Sequence, residues 1–351
     1  RVDAVVADFS NAPVRALGAA HQRMPDALRS ELLALQTPGH DEVARAARAS
    51  VALADLYADS IVAACTAAHI DCADLIAAGV HGQTIRHRPG EGWTVQLNNP
   101  SRVAERTGVM IVADFRGRDI AAGGQGAPLA PGFHAAMFAT QNRSRAILNR
   151  GGIANLTLRE PGKPVRGFDT GPANVLIDYW HQRHRNAAVD SDGAWAATGA
   201  VDATLLEALL DDDYFRMRVP KSTGRDRFHP QWLEAALRSR GVSVAPADVQ
   251  ATLVELTAKS TADALAREAP DIGDVVACGG GTRNATLMAA LRRHVAPRTL
   301  TTTAAFGIEA EHVEALAFAW LARETIAHRA GNLPSVTGAL GPRVLGGTYF
   351  R

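Results

Sequence analysis

The sequence predicts an α/β protein of two domains, and three observations carry that prediction. At 351 residues the chain exceeds what one ordinary hydrophobic core holds. Strand hairpins followed by alternating helices and strands occur twice along it. Its 31 glycines, with aromatics at only 5%, fit an architecture of many tight backbone turns. An apolar content of 47% and a charged content of 21% describe an ordinary soluble globule. The formal charge of +1 gives no electrostatic reason to expect nucleic acid or an anionic membrane as a partner. Cys65, Cys72 and Cys278 are odd in number and show no metal-ligand spacing, so they read as ordinary thiols in a reducing compartment. No basic-then-apolar signal segment opens the chain. No apolar run approaches the roughly 20 residues needed to span a bilayer, so the expectation is a soluble cytoplasmic protein.

In the first half, Val2 to Phe9 has enough β-branched residues for a strand. It starts with no preceding turn, which suggests that something upstream is absent. Asp41 to Ala68 is Ala-rich and free of Gly and Pro, hence helical. Leu75 to Val80 reads as a short buried strand that delivers the loop His81-Gly82-Gln83-Thr84 to its C-terminal end. Gly92 to Asn98 reads as a partly exposed strand, and Pro100 to Thr107 as a short helix opened by its proline. Val109 to Val112 is a third apolar run, ending on Asp114, Arg116, Arg118 and Asp119. The loop Gly123 to Pro128 marks the expected crossing between domains, giving an N-terminal domain over 1–125 and a C-terminal one over 126–351. The extreme C-terminus is allowed to return to the first.

The second half repeats the grammar. Strands at Arg145 to Leu148 and Ile153 to Leu158 flank Asn149-Arg150-Gly151-Gly152, a hairpin signal. Pro164 to Phe168 reads as a strand stopping on the lone carboxylate of Asp169, with Pro172 opening the next helix. That places an acid beside helix N–H groups that attract anions. Helices follow at Pro172 to Arg183, Asp202 to Asp212, Pro230 to Ser239 and Pro246 to Glu268. A buried strand at Asp274 to Cys278, helix Asn284 to Arg293, strand Arg298 to Thr302 and helix Glu311 to Arg329 complete the chain.

Each motif has a bland reading beside the chemical one. Asp169 with its glycine-bearing turn fits a phosphoryl-transfer centre or an acid that merely caps a helix. Cys278-Gly279-Gly280-Gly281-Thr282-Arg283-Asn284 joins a strand to a helix, and three glycines mark close approach by a ligand or by another backbone segment. It is neither a P-loop nor a dinucleotide fingerprint. The Asp114–Asp119 cluster suits bidentate capture of carboxylate or phosphate, or equally a self-satisfied surface network. Lys221 to Asp226 is a polar loop that either serves a ligand or is simply solvated. His81 and Gln83 can hydrogen-bond a sugar, as can any satisfied loop pair. The histidines lack metal-site spacing such as H-E-x-x-H.

Taken together, these segments resemble the anhydro-N-acetylmuramic acid kinase family of the sugar kinase/Hsp70/actin superfamily. The resemblance is carried by H-G-Q-T at His81–Thr84, D-F-R-G-R-D at Asp114–Asp119 and G-G-Q-G-A-P-L at Gly123–Leu129. It continues through G-G-I-A-N-L-T at Gly151–Thr157, G-F-D-T-G-P-A-N at Gly167–Asn174 and K-S-T-G-R at Lys221–Arg225. C-G-G-G-T-R-N at Cys278–Asn284 and F-G-I-E-A-E-H-V-E-A at Phe306–Ala315 complete the set, in family order. The resemblance implies two RNase H-like (actin-like ATPase) domains around a central cleft. It implies a homodimer, while the near-zero charge and the absence of a long apolar run give the expectation of no nucleic-acid and no membrane partner. It also implies hydrolysis of the 1,6-anhydro ring of 1,6-anhydro-N-acetylmuramic acid with transfer of the γ-phosphoryl of ATP, with Mg²⁺, to O6, in peptidoglycan recycling.

Residue by residue, Asp169 matches the catalytic base. His81, Gln83, Thr84, Gln96, Asp114, Arg118 and Lys221 match sugar-binding positions. Arg1, Val2, Asp3, Gly151, Gly152, Thr170, Gly171, Gly279, Gly280, Gly281 and Asn284 match nucleotide-binding ones. Two departures stand out. The family's opening strand and phosphate hairpin are reduced to Arg1-Val2-Asp3, so a neighbouring strand is expected to have an open edge, and a catalytically impaired sugar- or nucleotide-binding relative is the competing reading. Arg150 stands where the family has an apolar residue.

Overall fold

A computed structural model of the chain describes residues 1–11, 14–138, 143–239 and 243–351. In chain order its first segment comprises β1 (Val2–Asp8), β2 (Arg15–Gln22), α1 (Asp26–Ala34), α2 (Glu42–Ala68), β3 (Ala78–Gly79), β4 (Gln83–Arg88), β5 (Trp93–Leu97), α3 (Pro100–Thr107), β6 (Ile111–Ala113), α4 (Gly117–Ala121) and α5 (Ala130–Phe138). The middle holds β7 (Arg145–Arg150), β8 (Ile153–Arg159), β9 (Arg166–Pro172), α6 (Asn174–Arg185), α7 (Ala203–Leu210), α8 (Asp213–Arg216), α9 (Pro230–Ser239), α10 (Pro246–Glu268), β10 (Asp274–Cys278), α11 (Ala285–Val295) and β11 (Thr299–Thr302). The end contributes α12 (Val313–Ile326), α13 (Pro334–Thr337) and β12 (Gly347–Tyr349). By contacts these elements divide into one unit of 1–137 with 312–351 and a second of 138–311. The division therefore falls at Met137/Phe138 and not after residue 125, and the loop Gly123–Pro128 lies inside the first unit.

In the second unit one sheet runs β11-β10-β7-β8-β9. β8 is antiparallel to β7 and to β9, while β10 and β11 run parallel to β7. This is the RNase H-like order. Its strands are apolar on both faces: on one, Ala146, Leu148, Leu156, Leu158, Val275 and Ala277 are buried and join a core with Leu253, Leu256, Leu265, Leu287 and Leu291 of α10 and α11, and on the other Ile147, Val276 and Cys278 are buried. Near-continuous apolar strands are what a sheet covered by helices needs. The predicted strand Pro164–Phe168 proves to be β9, which runs on through Asp169 to Pro172. Proline is tolerated there because β9 is an edge strand and Pro172 is its last residue. Helix α6 accordingly starts two residues later, at Asn174.

In the first unit the pairs β1-β2 and β4-β5 are antiparallel, and β6 lies between parallel β3 and antiparallel β12. The C-terminal segment thus supplies a strand to this unit. Leu75–Val80 yields only the two-residue strand β3, and β4 begins at Gln83, inside the expected loop His81–Thr84. β3 is held against α12 so tightly that a Cβ on Gly79 would lie 2.2 Å from the carbonyl oxygen of Phe318. Among the described residues β1 pairs only with β2 and β3 only with β6, so each has an open edge. Both strands line a cavity of about 910 Å³.

Contrary to the sequence expectation, α2 is long and apolar enough to cross a membrane by composition alone, with a mean hydropathy of 1.4. Alanine, and not leucine or isoleucine, sets that value. One stripe of α2 (Ala49, Leu53, Ala54, Ala58, Ala64 and Cys65) is buried within the unit, and Asp55 on the other side binds Arg102 and Arg106 of α3. That is the behaviour of an amphipathic helix packed on a sheet.

Candidate active site

Asp169 lies in β9 opposite Asn155 of β8, just past an irregularity in the pairing. Three contacts hold it. Its carboxylate Oδ2 accepts the Thr223 backbone N–H at 2.8 Å. Its own N–H donates to the Lys221 carbonyl at 3.1 Å, and its carbonyl accepts the Tyr214 hydroxyl at 2.8 Å. Oδ1 has no protein partner among the described residues. Burial raises the carboxyl from its ordinary 3.8 to about 6, opposed by the Thr223 N–H and by the positive charge of Lys221. At neutral pH the group is ionised, yet basic enough to take a proton from water.

Lys221 is not in a solvated loop. It is buried, its Nζ donates to the Tyr214 carbonyl at 2.7 Å, and it sits 4.3 Å above the Tyr214 ring. Burial lowers its pKa to about 8. Tyr214 in turn is wedged edge-on against Phe215 and Phe228. Lys221, Tyr214 and Asp169 therefore form a closed ring of contacts that fixes the carboxylate. Tyr214 and Thr223 are the residues sequence reasoning missed. The hydroxyl of Thr223 is buried without a hydrogen-bond partner, leaving it for a ligand.

The anion seat expected at the start of α6 is closed. The N–H groups of Ala173 and Val175 donate to the Gly152 carbonyl at 2.9 and 3.1 Å, and that of Asn174 donates to the Gly151 carbonyl at 3.2 Å. Asp169 therefore neither caps this helix nor draws on its N–H groups. Gly151 and Gly152 instead brace the β7–β8 hairpin against α6. Next to the hairpin runs the turn Gly279–Gly281, because Cys278 of β10 pairs with Asn149 of β7. Gly279 has φ +83° and would bring a Cβ within 2.8 Å of the Arg150 carbonyl, so the two glycine turns approach backbone to backbone. Gly280 is exposed with open space around it. Asn284 caps α11 by accepting the Leu287 N–H at 2.8 Å, which is its bland role. Thr170 is buried and faces Thr261 of α10 at 3.3 Å, and Gly171 adjoins the Phe215 ring.

In the first unit the D-F-R-G-R-D cluster separates into four different environments. Asp114 adopts φ +58° and accepts the Gly117 N–H, and Arg118 is exposed. Neither is engaged in an ion pair among the described residues. Arg116 donates to His81 Nε2 at 3.1 Å and to the Gly126 carbonyl at 2.7 Å. Asp119 is fully buried, accepting from Gly126 N–H, Asn332 and Thr337 at 2.7 Å each. The surface-network reading therefore fails. His81 is a neutral acceptor: burial first, then the Arg116 charge, pushes its pKa to about 3, and its ring packs on Phe318. Thr84 and Gln96 face each other across β4–β5 and bond at 3.1 Å, and Gln83 bonds the Thr84 carbonyl at 3.2 Å. Asp3 is committed to His21 at 2.6 Å and to Arg1 at 2.9 Å, with Val2 in the β1–β2 ladder, so these three do not form an open phosphate loop.

The anhydro-N-acetylmuramic acid kinase family model matches residues 1–351. The chain belongs to this family. A relative so named from Bordetella petrii is 56% identical over 93% of this chain and 86% of its own length. One from Thiobacillus denitrificans is 50% identical over 99% and 93%, and one from Burkholderia thailandensis 50% over 100% and 94%. Among solved structures, the activator of the 2-hydroxyisocaproyl-CoA dehydratase from Clostridium difficile gives a TM-score of 0.38 at 15% identity, covering 67% of this chain and 87% of that one. Xylulose kinase from Rhodospirillum rubrum gives 0.33 at 16%, covering 62% and 47%. Membership of the family rests on the sequence relatives.

Proposed function

We propose that the protein is an anhydro-N-acetylmuramic acid kinase, which opens the 1,6-anhydro ring with water and phosphorylates O6 at the expense of ATP. The observation that carries the reading is Asp169. One of its oxygens is tied to Thr223 N–H, the other has no protein partner, and Lys221 and Tyr214 fix its backbone. In this reading Oδ1 takes a proton from water as that water attacks C1. The C1–O6 bond breaks, and the electron pair released on O6 attacks the γ-phosphorus, expelling ADP. The proton held by Asp169 passes to solvent before the next turnover. Ring opening thus generates the phosphoryl acceptor, and positioning supplies the rest.

The sugar-binding assignments differ in what the structure leaves available. Arg118 and Asp114 have groups left over for a ligand. His81 is held by Arg116, and its role is to orient that guanidinium. Gly279–Gly281 and Gly151–Gly152 are the backbone we assign to the nucleotide. Among the described residues of the second unit no three acidic, histidine or cysteine ligand atoms converge. A magnesium ion, which neutralises phosphate charge, would accordingly be held there chiefly by phosphates and water. A cytoplasmic homodimer is part of the same proposal. The impaired-relative reading draws on the first three residues, where Asp3 is committed to His21 and Arg1, but the base and its supports are intact and relatives 56% and 50% identical carry the kinase name. Turnover in ¹⁸O-water tests the mechanism: label is expected in the C1 hydroxyl, and label at O6 would refute it.

A further inference from the structure

Arg150 ends β7 with its side chain completely buried. Its only hydrogen bond is from Nη2 to the thioether of Met288 at 2.7 Å, a weak acceptor. Nε and Nη1 have no hydrogen-bond partner among the described residues. The side chain leaves β7 beside Gly281, where an added Cβ would stand 3.1 Å from Arg150 Cβ, and ends at Met288 in the first turns of α11, while the Arg150 carbonyl faces Gly279. The glycine turn thus packs on the stem of this side chain, and its middle residue, Gly280, is exposed with nothing within 4 Å of an added Cβ. Burial pulls the guanidinium down to about 10, and the one group that opposes this is the Cys278 thiol, an inadequate counter-charge.

A buried guanidinium with two unsatisfied donors is an expensive feature, and removing it would be neutral or stabilising unless an anion completes it. We propose that Arg150 is the cationic floor of an anion seat formed by the Gly151–Gly152 and Gly279–Gly281 turns, taking the phosphate groups of the nucleotide. The proposal rests on the kinase reading for the identity of the anion. Planar donors suit a phosphate better than a point charge does. Of the neighbouring cations, Lys221 is committed to Tyr214, and Arg283, at the exposed end of the same turn, is paired with Glu311.

The test is calorimetric titration of ATP and, separately, inorganic pyrophosphate into the full chain and its Arg150→Met and Arg150→Lys variants, with thermal unfolding of each unliganded protein. Arg150→Met is expected to melt higher without ligand, yet to bind both probes about ten- to a hundredfold more weakly, the range for a charge-assisted contact. Arg150→Lys should recover part of that loss. Binding of both probes to Arg150→Met within twofold of the parent would overturn the proposal. So would an Arg150→Met variant that melts lower while binding equally well, which marks a packing role. If the parent binds pyrophosphate but not ATP, the kinase reading fails, while the pyrophosphate comparison still decides Arg150. Should Arg150→Met not fold, the Arg150→Lys titration decides, with unchanged affinity counting against the proposal.

Discussion

At the scale of single residues, Asp169 combines two requirements that oppose each other. A base acting on water needs a pKa near the working pH, and burial provides that at a cost in stability. Asp169→Asn should lower turnover by about 10²- to 10⁴-fold, the usual worth of a general base. Turnover of the parent should decline below pH 6 as the carboxyl protonates, about tenfold per pH unit. The stability consequence has the opposite sign. With the folded pKa at about 6 against an ordinary 3.8, the folded state holds the proton more tightly than the unfolded chain does. The ionised carboxylate therefore weakens the fold above pH 6, and the penalty vanishes below pH 3.8. The full shift corresponds to about 3 kcal/mol, and partial exposure of the group reduces that to about 2 kcal/mol. Urea unfolding should thus find Asp169→Asn more stable than the parent at pH 7 and equal to it near pH 3.5. Equal stability at both pH values would show that the site does not strain the carboxylate. Sequence alone reached Asp169 and singled out Lys221 as a sugar-binding position, but it did not reach Tyr214 or Thr223 as supports. Tyr214 lies 45 residues and Thr223 54 residues further along the chain, and only the fold brings them to it.

At the scale of elements, periodicity located the long helices and the apolar strands well. α9, α10 and β10 fall where the sequence puts them, and the β7–β8 hairpin turns at its two glycines. The misreadings share a physical cause, namely tertiary pairing overriding local preference. Of the expected strand Leu75–Val80 only Ala78 and Gly79 remain as β3, because β6 pairs with those two alone. Gln83 and Thr84, read as loop, open β4 because they pair with Leu97 and Gln96 of β5. Pro172 suggested a helix start, but it closes an edge strand. Among turns the glycines are separable. At Gly279 a Cβ would sit 2.6 Å from Asn149 Oδ1 at a φ of +83°. Gly279→Ala should therefore destabilise by about 2 kcal/mol and raise the KM for ATP. Gly280→Ala, in open space, should stay within about 0.5 kcal/mol of the parent. Equal midpoints for the two variants in urea would remove the backbone-approach argument.

At the scale of the whole molecule, the sequence order hides how the chain is assembled. A boundary at residue 125 follows from the glycine-rich loop Gly123–Pro128, but that loop is held inside the first unit by a side chain that composition cannot reveal. Asp119 is fully buried, and its two oxygens accept from the Gly126 N–H of the N-terminal segment and from Asn332 and Thr337 of the C-terminal segment. The Gln125 N–H reaches the Thr337 carbonyl at 2.7 Å beside it, and β12 adds to β6. Joining segments more than 200 residues apart has a large entropic cost, so the contact that closes them must be strong. Asp119 is that contact. Asp119→Ala strands three buried donors at once and should cost about 3 to 5 kcal/mol, the range for breaking a buried charged network. The loss should be selective. Amide exchange is expected to accelerate in α12, α13 and β12, and around Gly123–Pro128, while the β7–β11 sheet keeps its protection. Uniform acceleration across both units would mean that Asp119 supports the chain generally, and that the return of the C-terminal segment is secured elsewhere.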